Sequence, residues 1–210
     1  MKRFQFITES DARLLDLGST VVLADGGQVT PLALDTLRER RVRVVRDAGD
    51  DESVTLAPPM PVRVVALSGD HTSSRLREAV RTHLRGLGVT CHDSAVDDGP
   101  SDYPDTAAVV ALAVARHEAD AGIVIDGSGL GSAIAANKID GIRAAACADA
   151  TMARYAREHN GANVLALGSS VLTPDTVRPV VDAFIGSAMH EPRYLRRLLK
   201  IRALEQRRPR

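Results

Sequence analysis

The 210-residue sequence predicts an α/β protein with a five-stranded parallel sheet and a small α+β module at its N-terminus. From residue 62 onward, short β-branched runs alternate with segments of helical periodicity, which is the pattern of parallel βα units. Hydrophobic residues make up 44% of the chain and aromatic residues 3%, so we expect a core of aliphatic side chains. An acidic segment followed by prolines separates the two parts.

Residues 1–46 are predicted to form the small N-terminal module. Thr8 favours the start of a helix, residues 20–23 favour a strand, and Asp25-Gly26-Gly27 is typical of a turn. Thr30 and Pro31 are suited to the cap and first position of a helix to residue 40, before a strand at 42–45. A unit this small is marginal as an independent fold, so we expect it to dock on something.

Residues 47–61 are predicted to be a linker, because they are acidic at first and end in a proline-rich run. Residues 62–206 are predicted to form the larger domain. The helical spacing of Leu76, Val80, Leu84 and Leu87 predicts its first helix, which Gly86 and Gly88 would end. Strands are predicted at 62–67, 89–92, 123–125, 143–147 and 164–167, and later helices at 106–118, 149–158, 174–186 and 192–206.

The composition argues against several classes of protein. The 27 basic and 27 acidic residues cancel, which gives no electrostatic reason to expect nucleic acid or an anionic membrane as a partner. Cys91 and Cys147 lie in no metal-binding pattern, which favours a reduced, cytoplasmic protein without a metal. The longest aliphatic run, 107–115, is about half of the ~20 residues that span a membrane. Small ligands or protein partners are expected instead.

Ligands of open α/β sheets bind at the carboxyl ends of the strands, where this sequence places several polar residues. Asp70 and His71 follow the first strand of the larger domain, and the loop 126–132 follows the third. The three alternate glycines of that loop let backbone N–H groups approach an anion or oxyanion. Because Ser132 replaces the third glycine of a dinucleotide fingerprint and no Gly-Lys-Ser/Thr follows, neither common nucleotide motif applies.

Taken one at a time, these residues leave two interpretations open. Asp126 ends an aliphatic strand, which would raise its pKa, but taken alone it is more typical of an ordinary turn or helix-cap aspartate. His159 is either functional or an ordinary histidine at a helix end. Arg193 and Arg197 lie four residues apart on one helix face, where they form either a phosphate-binding pair or a solvated basic surface.

Considered together, the motifs of residues 62–205 resemble the type B ribose-5-phosphate isomerase family, which also contains the subunits of galactose-6-phosphate isomerase. The resemblance covers about two thirds of the chain. Its segments are Gly-Asp-His at 69–71, Ser-Asp-Tyr-Pro-Asp at 101–105, Gly-Ser-Gly-Leu-Gly at 127–131, Ile-Ala-Ala-Asn-Lys at 134–138, Gly-Ile-Arg at 141–143, Ala-Arg-Glu-His-Asn at 156–160, Ala-Asn-Val-Leu-Ala-Leu-Gly at 162–168 and Val-Asp-Ala-Phe at 181–184.

The resemblance implies a Rossmann-like three-layer sandwich and a homodimer with the catalytic cleft between subunits, a tetramer being left open. It also implies isomerisation of ribose 5-phosphate to ribulose 5-phosphate without metal or cofactor. By position, His159 would open the sugar ring and Ser128, with its loop, would stabilise the enediolate. The residues expected to bind substrate are Asp70, His71, Tyr103, Gly127, Gly129, Leu130, Gly131, Ser132, Asn160, Arg193 and Arg197.

Two departures from the family pattern affect the predicted chemistry. Many members have a cysteine base where this chain has Asp126, and a mycobacterial branch uses a glutamate where it has Ser132. Asp126 is therefore the predicted base, which would need a pKa near 6–7 and about 4 kcal/mol of environmental bias. Ser170 replaces a phosphate-binding arginine of many relatives. The alternatives are an inactive sugar-phosphate-binding or scaffold homologue, and an isomerase of another sugar phosphate.

The N-terminal module has a resemblance of its own. Residues 6–13, 18–23 and 29–33 are similar to leader modules on enzymes of bacterial microcompartments. This implies docking to a shell or a companion enzyme, and a location inside such a compartment. The alternative is a small domain that extends an oligomer interface.

Overall fold

The computed structural model describes residues 2–46, 56–94, 102–189 and 191–205, and the chain divides into two compact units, Met1–Thr55 and Leu56–Arg210. This boundary lies in the predicted linker, whose residues 47–55 are outside the described part. Residues 56–61 belong to the larger unit. There, the Leu56 carbonyl accepts a hydrogen bond from Arg143 at 3.0 Å, and the Pro59 carbonyl accepts one from Arg157 at 3.3 Å.

The N-terminal unit is a parallel three-stranded sheet with strand order β1-β2-β3. Helices and parallel strands alternate in it, so it is an α/β unit where the sequence indicated α+β. The Thr8 capping box begins the first helix, and Thr30 caps the second with Pro31 inside it, as predicted. Its elements are β1 (Arg3–Ile7), α1 (Glu9–Arg13), β2 (Thr20–Val29), α2 (Pro31–Glu39) and β3 (Arg43–Arg46).

Two features of this unit differ from the sequence prediction. The strand β1 was not predicted, although Phe4 and Phe6 alternate with polar residues as strands do. The predicted turn at 25–27 is wrong, because β2 continues through it. The pairing register shifts there, and a Cβ on Gly27 would lie 2.6 Å from the Ala24 carbonyl oxygen. Gly27 is therefore suited to a close backbone approach within an irregular strand.

The larger unit contains the predicted five-stranded parallel sheet, with strand order β5-β4-β6-β8-β7. The α/β prediction is confirmed. The strands are β4 (Val64–Gly69), β5 (Thr90–Asp93), β6 (Ala121–Asp126), β7 (Ala144–Ala146) and β8 (Val164–Gly168). The helices are α3 (Ser74–Gly86), α4 (Tyr103–Ala115), α5 (Leu130–Ala136), α6 (Ala150–Asn160), α7 (Pro174–Gly186) and α8 (Pro192–Glu205).

Helices cover both faces of this sheet and make it a three-layer sandwich. Ile123 and Ile125 of β6 pack in the core formed with α3, α6 and α7, whereas Val124 packs in the core formed with α4 and α5. All six residues of β6 are buried, as expected for a parallel strand covered on both sides. None of the helices described has an apolar stretch long enough to cross a membrane.

The order of the strands reverses between β4 and β6, which places a crevice outside their carboxyl ends. Gly69 pairs with Ile125 in the sheet, so the residues that follow them, Asp70 and Asp126, lie at the same edge. The fold therefore brings Asp70 and Asp126 together at the edge of the sheet where the sequence predicts the candidate site.

Candidate active site

Hydrogen bonds join the ends of three strands at this crevice. The Asp70 N–H donates to the Ile125 carbonyl at 3.1 Å, and the Ser169 N–H donates to the Asp126 carbonyl at 2.8 Å. The hydroxyls of Thr72 and Ser169 lie 3.3 Å apart. The loops after β4, β6 and β8 therefore form one connected rim.

Asp126 is 4% exposed as a residue, and its carboxylate binds the glycine loop that follows it. Its Oδ1 accepts hydrogen bonds from the backbone N–H groups of Ser128 at 2.6 Å and Gly129 at 2.5 Å. Its Oδ2 accepts one from the Ser132 N–H at 2.8 Å. The Ser128 hydroxyl lies 3.4 Å from Oδ1. The loop thus directs three N–H groups at its own aspartate.

These contacts decide the ionisation of Asp126. Burial alone raises the pKa of this carboxyl, but the Ser132 side chain and the N–H groups of Ser132, Gly129 and Ser128 together hold the pKa below its usual value. Ser132 is fully buried, and its hydroxyl contributes to the lowered pKa of Asp126 although it forms no hydrogen bond of normal geometry with a described residue. The expected rise in pKa is wrong, because the loop folds back on the carboxylate.

Glycines let this loop approach its neighbours closely. Gly129 has φ +79°, and a Cβ there would lie 3.0 Å from the Leu167 carbonyl carbon. A Cβ on Gly131 would lie 2.8 Å from the ring of Tyr103. Tyr103 is 43% exposed, so its ring lies over the start of α5 and stays accessible. The structure therefore brings Tyr103 to the glycine loop, and its role in binding sugar hydroxyls stays a prediction.

Asp70 and His71 have different surroundings. Asp70 is buried, and its Oδ1 accepts hydrogen bonds from the N–H and the hydroxyl of Thr72 at 2.9 and 2.6 Å. Its Oδ2 has no partner among the residues described, which leaves one oxygen for a ligand hydroxyl. His71 is exposed. Nowhere in the described part of the chain do three His, Cys, Asp or Glu residues form a group that could hold a metal ion.

A second cluster of predicted residues surrounds His159 at the end of α6. The imidazole stacks on the Tyr155 ring at 4.6 Å between centroids and lies against the Tyr194 ring, also at 4.6 Å. The guanidinium carbons of Arg193 and Arg197 lie 4.9 and 5.4 Å from the centre of the Tyr194 ring. Three predicted residues, His159, Arg193 and Arg197, are therefore brought together.

Asn160 follows His159 and is exposed, and its amide nitrogen lies 3.5 Å from the Tyr155 carbonyl. The chain then turns at Gly161, which has φ +56°. A Cβ on Gly161 would lie 2.7 Å from Leu198 Cδ1, so glycine permits α8 to pack against the end of α6.

Within one chain, the two clusters lie at opposite edges of the sheet, one at the carboxyl ends of the strands and the other at their amino ends. The Asn163 carbonyl, just beyond α6, accepts a hydrogen bond from the Gly122 N–H at 2.9 Å, near the start of β6. Asp126 ends the same strand, so roughly 13 Å of strand separates the two edges. One subunit alone does not bring His159 to Asp126.

Sequence reasoning missed several residues of both clusters. Tyr155 precedes His159 by four residues on a helix, and that spacing is a signal for contact. The contacts of Tyr194 with His159 and of Thr72 with Ser169 arise through tertiary packing, for which a single sequence holds no signal.

With this geometry established, comparison with known proteins identifies the family. The model of the family described as Ribose/Galactose Isomerase matches residues 65–201. The chain belongs to this family. The resemblance read from the sequence is confirmed, and the chain is an isomerase of this family. The match begins after the unit Met1–Thr55, about which it says nothing.

The relatives support the same assignment. Ribose-5-phosphate isomerase B of Escherichia coli K12 is 40% identical over 148 residues, which are 70% of this chain and 99% of the relative. The D-erythrulose-4-phosphate isomerase of Pectobacterium atrosepticum is 34% identical over 123 residues, 58% of this chain and 81% of the relative. The structure of ribose-5-phosphate isomerase B from Mycoplasma genitalium with bound ribulose-5-phosphate is 34% identical and has a TM-score of 0.66, over 69% of this chain and 97% of that one.

Proposed function

We propose that the protein isomerises ribose 5-phosphate to ribulose 5-phosphate through an enediolate. The observation that carries this proposal is the crevice between β4 and β6, which joins Asp70, Asp126 and the glycine loop in a chain of the isomerase family. Relatives named ribose-5-phosphate isomerase B support the choice of sugar.

In this proposal Asp126 is the base that moves the proton between the two carbons. The carboxylate takes the proton from C2, the electron pair forms the C1=C2 bond, and the carbonyl at C1 becomes an oxyanion. The proton then returns at C1 while the hydroxyl proton of O2 moves to O1. A lowered pKa keeps Asp126 ionised at neutral pH, which a base requires, but it also makes the base weak.

Ser128 and residues beside the crevice would supply the remaining contacts with the sugar phosphate. The Ser128 hydroxyl, beside the carboxylate, would donate to the developing oxyanion. Asp70 and Tyr103 would hold sugar hydroxyls, with His71 at the phosphate end. The N–H groups of Ser128, Gly129 and Ser132 already bind Asp126, so they cannot serve the oxyanion without leaving it.

We propose a homodimer in which the partner subunit's His159 completes each site. The partner subunit's Asn160, Arg193 and Arg197 would accompany it, since these residues lie at the same edge of the sheet. The separation of the two clusters within one chain supports this arrangement.

Mixing two inactive variants tests the composite site. Asp126→Asn and His159→Ala subunits that exchange form heterodimers with one site carrying both changes and one wild-type site. Equal mixing should then restore about a quarter of wild-type activity, since half of the dimers are mixed and each has one intact site. No recovery, with subunit exchange verified by mass spectrometry, would show that each chain uses its own residues.

The assignment of the base has a direct test. The Asp126→Asn variant should lose isomerisation of ribose 5-phosphate and the exchange of solvent deuterium into ribulose 5-phosphate, while calorimetry still detects binding of the sugar phosphate. Full activity of this variant would overturn the role of Asp126.

A second candidate function is binding of a sugar phosphate without turnover. The three N–H groups on the Asp126 carboxylate favour it, because they stabilise the charged form and oppose proton uptake. Assays of the wild type against ribose 5-phosphate, erythrose 4-phosphate, allose 6-phosphate and their ketoses separate the alternatives. Turnover of another sugar would redirect the substrate assignment, and inertness with measurable binding would favour the non-catalytic function.

We also propose that the N-terminal unit docks the enzyme to a microcompartment shell or companion enzyme. It has a core of its own, and Leu14, Leu17 and Leu32 are 79%, 75% and 58% exposed on it. Deletion should end at residue 55, because the Leu56 carbonyl binds Arg143 in the larger unit. An active enzyme that no longer enters compartments would support docking. Collapse of the oligomer would support an interface role instead.

A further inference from the structure

The imidazole of His159 is held by its faces while its edges are free. The Tyr155 ring stacks on it with an angle of 15° between the planes, and the Tyr194 ring lies against it at 33°. No described residue forms a hydrogen bond with either ring nitrogen. Two aromatic contacts therefore define the ring plane without occupying Nδ1 or Nε2.

We propose that Tyr155 and Tyr194 are positioning residues that hold His159 for opening of the sugar ring. The inference rests on the proposed function, in which His159 acts on a cyclic sugar phosphate. In that step the C1–O4 bond breaks, O4 gains a proton, O1 loses one, and the C1=O1 bond forms. The imidazole gives the first proton and recovers the second, so it needs a nitrogen free at each stage.

This arrangement replaces the usual way of orienting a catalytic histidine. A hydrogen bond from one ring nitrogen to a carboxylate or carbonyl usually fixes the ring and its tautomer. Such a bond would commit one nitrogen of His159. The final torsion of a histidine side chain is otherwise broad, so contact with both ring faces provides the restraint here.

Tyr194 also links the imidazole to the predicted phosphate-binding arginines. Its hydroxyl accepts a hydrogen bond from Arg193 at 3.0 Å, and the guanidinium groups of Arg193 and Arg197 lie near its ring. Tyr194 belongs to α8 and is 8% exposed, because its ring packs against the end of α6. The ring therefore sets the spacing between the imidazole and the groups that would hold the phosphate.

Variants of the two tyrosines test the inference. Tyr155→Leu and Tyr194→Leu remove the aromatic contacts and keep apolar side chains. Tyr155→Phe and Tyr194→Phe are the matched controls, since they keep the rings, and Tyr194→Phe also reports the effect of losing the Arg193 contact. The leucine variants should lower kcat for ribose 5-phosphate by roughly 3- to 10-fold, the range expected for a lost aromatic contact, and the phenylalanine variants should stay within about twofold.

A half-reaction separates positioning from general damage. Ribulose 5-phosphate has no furanose form because its O5 is esterified, so exchange of solvent deuterium at its C1 needs proton abstraction but no ring step. At a saturating concentration of ribulose 5-phosphate, which compensates for any weaker phosphate binding in Tyr194→Leu, this exchange should be unchanged in the leucine variants. Equal losses in exchange and in ribose 5-phosphate turnover would overturn the inference, as would turnover that does not change at all.

A spectroscopic measurement is independent of activity. Ring currents of Tyr155 and Tyr194 should shift the His159 ring protons upfield, and each leucine variant should move them back while each phenylalanine variant should not. Unshifted protons in the wild type would overturn the stacking. A wild type that is inert toward ribose 5-phosphate would refute the proposed function, whereas an active wild type with unaffected leucine variants would refute only this inference.

Discussion

The Asp126→Asn substitution measures how much the carboxylate stabilises the glycine loop. In the wild type, Oδ1 binds the N–H groups of Ser128 and Gly129, and Oδ2 binds that of Ser132. An asparagine can keep its oxygen toward the first two N–H groups, but its NH2 group then faces the N–H of Ser132. Two donors would meet at a buried position, since Ser132 is fully buried.

The expected cost follows from these contacts. One buried N–H without a partner costs about 1–3 kcal/mol, and two charge-assisted hydrogen bonds that become neutral lose about 0.5 kcal/mol or more each. We therefore expect a loss of about 3 kcal/mol in the free energy of unfolding. For a unit of this size such a loss lowers Tm by roughly 6–12 °C.

The Asp149→Asn substitution is the matched control. Asp149 caps α6 by accepting one hydrogen bond from the Met152 N–H at 2.8 Å. Asparagine caps helices about as well as aspartate, so Tm should change by less than about 2 °C. Calorimetry of the wild type and both variants at neutral pH gives the comparison. Equal Tm values for Asp126→Asn and the wild type would refute the assignment of three N–H contacts to this carboxylate.

Three further predictions concern pH, the α6–α8 contact and a buried arginine. Because folding lowers the pKa of Asp126, the ionised carboxylate stabilises the fold fully above about pH 4, and this stabilisation is lost as the pH falls through the folded pKa. Urea unfolding at several pH values should therefore show that the free energy of unfolding depends less on acidic pH in Asp126→Asn than in the wild type. Gly161→Ala should lower the free energy of unfolding by about 1–2 kcal/mol, because residue 161 has a left-handed conformation. The new Cβ would also displace Leu198 of α8 and raise KM for the sugar phosphate. An unchanged KM would argue against a role for α8 in binding. Arg157→Met should lower the free energy of unfolding by about 1–3 kcal/mol, because the buried Ala162 carbonyl loses its 3.0 Å hydrogen bond. In the control Arg154→Met, where the arginine is exposed, denaturant unfolding should show a change within about 0.5 kcal/mol.

The sheet was predictable because its strands are aliphatic runs separated by amphipathic helices. The run before Asp126 is buried on both faces, as its composition indicated. The strand β1 was harder, since five residues with two aromatics give a short pattern. The glycines in the irregular segment of β2 favour a turn in the sequence, because glycine is typical both of turns and of irregular positions in strands.

The candidate site shows a different limit. Residue types and spacing selected Asp70, the glycine loop and His159 as candidates, but the pKa of Asp126 depends on where the loop directs its N–H groups. That direction follows from Gly129, whose φ of +79° turns the backbone toward the carboxylate. Likewise, the contact of Tyr194 with His159 joins residues that are far apart in the sequence.

In the proposed mechanism, the glycine loop and the base are coupled through the hydrogen bonds that the loop donates to Asp126. A carboxylate at the end of a buried strand needs hydrogen-bond donors, and the nearest donors are the N–H groups of the loop. Those bonds keep Asp126 charged, which makes it available as a base but weakens its hold on a proton. In this mechanism, a substrate that displaces one loop N–H from the carboxylate would raise the pKa of Asp126 and make it a stronger base. The enediolate oxygen would then gain the donor that Asp126 gives up, so a single shift of the loop would strengthen the base and stabilise the intermediate together.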